Sequence, residues 1–193
     1  SLLIVDEIQT GFGRTGALFA YEQEGIAPDL LCLAKSMAGG LPMGAVLMAE
    51  TIPALPPASH GSTFGGNPLA CAAGLAVLDV LRHTDLVERA RSHGAAVLDH
   101  LRARLPESVV RDVRGRGLMI GIELRGKVAP VLSALQARGV LALPAGRTVL
   151  RLLPPLVISD EDLWRAGAPA REGLGVAPRV LPPQLKPPPR KRA

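Results

Sequence analysis

Short unbroken apolar runs and longer stretches with apolar residues every three or four positions divide this chain into elements. Leu2-Leu3-Ile4-Val5, Leu30 to Ala34 and Ala45 to Met48 are aliphatic runs of strand length. They predict strands of a mostly parallel sheet covered on both faces, the first over 2–7. A glycine-rich loop over 8–16 and a short helix or turn over 17–24 separate the first two, and a loop beginning at Lys35 leads to the third. Asn67-Pro68 then opens a helix: Asn supplies a capping oxygen, Pro suits the first helical position, and the small residues that follow allow close packing.

From Leu86 the pattern is that of a long amphipathic helix, with Leu86, Ala90, Val97, Leu101 and Leu105 at helical spacing. Beyond it, "VVRDVRGRGLMIGIEL" predicts two strands around a glycine turn, "APVLSALQARGV" a helix, and "LALPAGRTVLRLLPPLVIS" two further short strands. The expected organisation is part of a doubly wound α/β domain over 1–84 and a smaller α+β domain over 85–165. Ser159 followed by Asp160, Glu161 and Asp162 is a helix start. Gly167, Pro169, Gly173 and Gly175 then interrupt the helix, and seven prolines fall in the last 25 residues. Residues 166–193 are therefore expected to be extended or disordered, as in an altered or frameshifted C-terminus. At the other end Ser1 lies at the start of a strand, so further sequence is expected to precede it.

Composition narrows the class. The 193 residues are 48% hydrophobic but only 3% aromatic, an aliphatic balance suited to an α/β protein. Residues 169–193 hold six basic side chains and one acid, which accounts for the whole net charge of +5. The remaining body is electrically balanced and has no basic surplus to attract phosphates, so a nucleic-acid partner is not expected. No apolar stretch is long and unbroken enough to span a membrane. Cys32 and Cys71 sit in apolar surroundings, as reduced thiols of a cytoplasmic protein would, and no metal-ligand spacing involves them. His83, His93 and His100 fall in amphipathic helical sequence and read as surface or boundary residues.

Two chemistries compete at residues 4–16, "IVDEIQTGFGRTG". Gly11, Gly13 and Gly16 match the G-x-G-x-x-G pattern of dinucleotide-binding turns. The context of that turn is missing. Asp6, Glu7 and Gln9 intervene between strand and glycines, putting negative charge where a pyrophosphate would lie; the following helix is barely two turns; and the next strand ends in Lys35, not in an acid. An Asp and a Lys at the ends of adjacent strands instead match the needs of pyridoxal phosphate. The Lys can form a Schiff base, and the acid can keep the pyridine nitrogen protonated.

Five stretches in order, "LLIVDEIQTGFGRTG", "PDLLCLAKSMAGGLPMGAV", "GSTFGGNPLACAA", "VRGRGLMIGIEL" and "VLRLLPPLVIS", resemble successive signatures of the class III, or ω-type, aminotransferases. The resemblance covers about residues 1–165. It implies fold type I of the pyridoxal-phosphate enzymes: a partial large domain of mostly parallel sheet and helices, then a small α+β domain. Lys35 would be the catalytic Schiff-base lysine and proton shuttle. Asp6 would pair with the pyridinium nitrogen, Gln9 would lie near the phenolic oxygen, and Glu7 and Ile8 would join them around the cofactor. Thr63 would bind the cofactor phosphate of a neighbouring subunit and Ser62 would lie beside the substrate, which implies a homodimer. Arg151 would take the α-carboxylate of glutamate or 2-oxoglutarate. The substrate would be an N-acylated diamino acid, acetylornithine or a carrier-linked lysine, in arginine or lysine biosynthesis. Ornithine, succinylornithine and 4-aminobutyrate are the alternatives, as is a non-catalytic remnant. The family's phosphate loop, its stacking aromatic, a carboxylate-binding arginine and the glutamate that masks Arg151 would all lie outside this sequence. Arg14 and the glycines around it are expected to shape the loop, and Gly115 and Gly117 to serve a turn.

Overall fold

The computed structural model describes residues 1–164. Two sheets follow each other along the chain. The first is built from β1 (Ile4–Asp6), β2 (Leu30–Leu33) and β3 (Ala45–Met48) in that spatial order. β1 and β2 run parallel, with Asp6 opposite Cys32, and β3 runs antiparallel to β2. The third strand is antiparallel for a simple reason. Residues 34–44 are too few for the helical crossover a parallel return requires.

One face of this sheet is packed. Leu31 and Leu33 are buried with Phe12 from the glycine loop, and Val5, Ala45, Phe19 and Tyr21 close around them. Val77, Leu78 and Leu81 of α1 (Pro68–His83) complete that cluster. The opposite face carries Ile4, Val46 and Met48, all exposed, so within this chain the sheet is covered on one side and not on both. α1 begins as the sequence requires: the Asn67 side chain accepts from Ala70 N at 2.9 Å, and Pro68 occupies the first turn.

The second layer starts at α2 (Leu86–Arg104) and continues through β4 (Val110–Arg116), β5 (Met119–Leu124), α3 (Ala129–Gln136), β6 (Leu143–Ala145) and β7 (Val149–Leu152). Its strands form an antiparallel sheet in the order β4-β5-β7-β6. The helical stripe of α2 and the alternating residues Ile120, Ile122 and Leu124 of β5 bury one common core, closed by Leu135 of α3 and Leu150 of β7. This is the larger of the two clusters and the main hydrophobic ballast of the molecule. The Ser159 hydroxyl caps the helical turn at 160–164, accepting from Asp162 N at 3.0 Å. We propose the break between α1 and α2, at Thr84 and Asp85, as the boundary between the two units. The expectations for residues 166–193 lie outside the described residues.

Candidate active site

Asp6 is the last residue of β1, and Lys35 follows β2 by two positions, so the parallel pairing brings both to the carboxyl ends of adjacent strands. Ligands of open α/β sheets bind at such ends. Asp6 is exposed on the open side of the sheet, and its Oδ1 accepts from Ile8 N at 2.9 Å. That bond turns the chain sharply at 6–8 and leaves Oδ2 available. Lys35 begins a 3-10 turn, Lys35–Ala38, where the sequence had predicted a plain loop. Its φ is +47°, a left-handed backbone conformation that costs a side-chain-bearing residue about 1 kcal/mol or more. The turn is held against α1, where Gly74 lets the Met37 carbonyl and the Met43 sulfur approach closely. Its ammonium has no ion-pair partner among the described residues.

Gln9 and Arg151 meet across the two layers. Arg151 Nη1, on β7, donates to Gln9 Oε1 at 3.2 Å. Arg151 Nε is buried and has no hydrogen-bond partner among the described residues. A buried guanidinium N–H without an acceptor is costly, and Nε lies on the side-on edge that suits the two oxygens of a carboxylate. The arrangement is therefore suited to an anion.

Glu7 does something different from its neighbours. Its side chain is 1% exposed and turned into the protein. Oε1 accepts from Tyr21 N at 2.8 Å, and Oε2 accepts from the Thr10 hydroxyl. Both oxygens are thus spent on fixing the ends of the loop that runs from β1 to the 3-10 turn at Ala20–Glu24. Ile8 is half-buried on the turn between Asp6 and Gln9. Ser62 and Thr63 stand on an exposed loop ahead of α1, where the Ser62 hydroxyl accepts from Gly65 N at 3.0 Å. Neither forms a hydrogen bond with Asp6, Gln9 or Lys35.

The glycine loop is a joint. Arg14 Nη1 donates to the carbonyls of Leu118, at 3.3 Å, and of Pro154, while Arg14 O accepts from Leu118 N at 3.0 Å. Desolvation by burial pushes the Arg14 guanidinium down from its ordinary pKa. Arg91 of α2 adds two bonds to Gly16 O, at 2.9 and 2.7 Å. Gly117 has φ of +51° and packs directly on the backbone of residues 14–16. Sequence reasoning gave Arg14 a loop-shaping role but not its tie to the second layer. A lone arginine between glycines, close to a strand end, was the one available signal for it.

The residues fit pyridoxal phosphate by the chemistry of the donor set. An available carboxylate oxygen can face a pyridinium, an unpaired primary amine can take an aldehyde carbon, an amide can face a phenolate, and an arginine with an open buried N–H can take a carboxylate. Among the described residues no group of His, Cys, Asp and Glu could hold a metal ion, and no helix is long and apolar enough to cross a membrane.

Comparison with known proteins identifies the family. Residues 1–167 match the family model "Aminotransferase class-III". The acetylornithine aminotransferase of Bacillus subtilis (strain 168) is 45% identical over 175 residues, covering 90% of this chain and 46% of the relative. The "[LysW]-aminoadipate semialdehyde transaminase" of Deinococcus radiodurans is 50% identical over 165 residues, covering 84% of this chain and 38% of the relative. Among solved structures, an ornithine aminotransferase from Toxoplasma gondii, described with pyridoxal phosphate at partial occupancy in its active site, superposes with a TM-score of 0.83 at 40% identity. That match covers 90% of this chain and 43% of the other. The chain thus spans under half the length of these relatives, and the fold is the corresponding part of the fold type I enzymes. It belongs to the class III aminotransferases, a pyridoxal-phosphate-dependent family.

Proposed function

We propose that this chain forms the lysine-bearing part of an aminotransferase that moves the ω-amino group of an N-acylated diamino acid to 2-oxoglutarate. The observation that carries the reading is the placement of Asp6 and Lys35 at the carboxyl ends of neighbouring parallel strands. When bound, pyridoxal phosphate supplies an electron sink for the bonds at the substrate's amine-bearing carbon. Lys35 would hold the cofactor through its amine, and that amine would carry a proton at the substrate carbon. Asp6 would keep the pyridine nitrogen protonated through its open oxygen, and Gln9 would face the phenolic oxygen, with Ile8 between them in sequence. Glu7, counted among the cofactor residues from the resemblance, serves through the loop it anchors.

Arg151 takes the α-carboxylate of 2-oxoglutarate or glutamate on the guanidinium edge that includes its unpartnered Nε. Ser62 and Thr63, on an exposed loop, reach the site of a second subunit in a homodimer, Ser62 at the substrate and Thr63 at the cofactor phosphate. The relatives' names support arginine or lysine biosynthesis as the setting; the amine donor is then acetylornithine or the carrier-linked lysine that corresponds to the semialdehyde, and we place the activity in the cytoplasm. The likeness to ornithine aminotransferases favours free ornithine as the second reading.

The reading is tested with the protein carrying this chain, by assaying acetylornithine, carrier-linked lysine and ornithine as amine donors to 2-oxoglutarate. A kcat/KM for an acylated donor at least tenfold above that for ornithine supports it. A preference for ornithine would replace it with the second reading, and no turnover of any donor in a cofactor-loaded protein would remove it.

A further inference from the structure

The bond between Arg151 and Gln9 constrains more than the arginine. A guanidinium only donates, so the Gln9 atom that meets Arg151 Nη1 at 3.2 Å must be the amide oxygen. The amide is planar. Its NH2 group is thereby turned away from Arg151, and among the described residues it donates to nothing. We infer that Arg151 is also a positioning residue: it orients the Gln9 amide so that the Gln9 NH2 is presented to the cofactor's phenolic oxygen, and the arginine on β7 tunes the cofactor through this one side chain. The inference rests on the proposed placement of Gln9 beside that oxygen.

The alternative orientation would place the amide oxygen against a phenolate, acceptor against acceptor. Without Arg151 no hydrogen bond among the described residues selects between the two. A donor aimed at the phenolic oxygen weakens that oxygen's hold on the proton of the neighbouring Lys35 nitrogen, so losing the donor raises the pH at which this proton leaves. The two units of the chain are then coupled without any movement of the backbone. Filling the open edge of Arg151 with a carboxylate would be felt at the cofactor through Gln9.

The test is a pH titration of the visible absorbance of the cofactor-loaded protein, without substrate. Arg151→Lys keeps the positive charge but loses the planar fork that grips the amide oxygen. We expect it to move the titration midpoint upward by about half to one pH unit, the size of one hydrogen bond lost. Gln9→Ala should move it similarly, and the double variant no further than either alone, because both remove the same bond. Gln9→Glu, which leaves no donor to offer, should raise it as well. A midpoint unmoved in Arg151→Lys overturns the inference. So does an Arg151→Lys shift that persists undiminished in the Gln9→Ala background, since the arginine would then act by its field alone. A parent protein that develops no visible band contradicts the cofactor reading itself, and the inference falls with it. A band with an unmoved midpoint leaves that reading standing and removes only the inference.

Discussion

Gly94 on α2 and Gly117 in the turn between β4 and β5 meet backbone to backbone: a Cβ on Gly94 would overlap the Gly117 carbonyl. Ala normally stabilises a helix interior by about 1 kcal/mol relative to Gly. Here the clash is with main chain that cannot rotate away. Gly94→Ala is therefore expected to destabilise the protein by about 2 kcal/mol or more in urea unfolding. Gly126→Ala, with nothing within 4 Å of the added carbon, should stay within about half a kcal/mol. A Gly94→Ala protein as stable as the parent would contradict the packing.

Arg14 is a half-buried cation whose side chain donates to the Leu118 and Pro154 carbonyls. Replacing it by Met keeps much of the volume and strips the donors from both carbonyls. We expect a loss of about 1–3 kcal/mol in the same measurement. The loop carrying Gln9 should also exchange its amide hydrogens faster, because Arg14 ties it to the second layer.

Glu7 is expected to matter for loop order and not for direct cofactor contact. Glu7→Gln keeps the shape but presents an NH2 group to one of two donors, Tyr21 N or the Thr10 hydroxyl. A destabilisation of about 1–3 kcal/mol follows. If Glu7 instead touched the cofactor, Glu7→Gln would change the absorbance spectrum of the loaded protein at unchanged stability.

Lys35 stands at φ of +47°, where Gly is the residue without a steric penalty. Lys35→Gly should therefore be about as stable as Lys35→Ala or up to about 1 kcal/mol more so, the reverse of the usual order of these two residues outside turns. Lys35→Ala clearly exceeding Lys35→Gly in stability would show that the strain is absent.

Much of this arrangement was legible in the sequence. The caps at Asn67 and Ser159, the stripe from Leu86 to Leu105 and the antiparallel strands around Gly117 are local or periodic signals, and each carries its own chemistry. Asp6 and Lys35 could be placed at strand ends because the runs before them are unambiguous. The direction of β3 was harder to read, since it depends on how far an eleven-residue connection, 34–44, can reach. The opposite fates of Asp6, open, and Glu7, buried, could not be read from two adjacent acids. That difference is set by Tyr21 and Thr10, whose bonds exist only once the loop has closed. The contacts of Arg14 and Arg151 span more than a hundred residues and leave no local trace.

The central claim is that Lys35 is the residue that takes the cofactor. It is most directly tested by incubating the protein with pyridoxal phosphate, reducing with borohydride and mapping the attached mass on peptides. The chain offers internal controls in Lys127, Lys186 and Lys191. The account predicts stoichiometric labelling at Lys35 with the other three unlabelled, and none in Lys35→Ala. Label spread evenly over the four lysines, or absent from Lys35 in a folded protein, would contradict it.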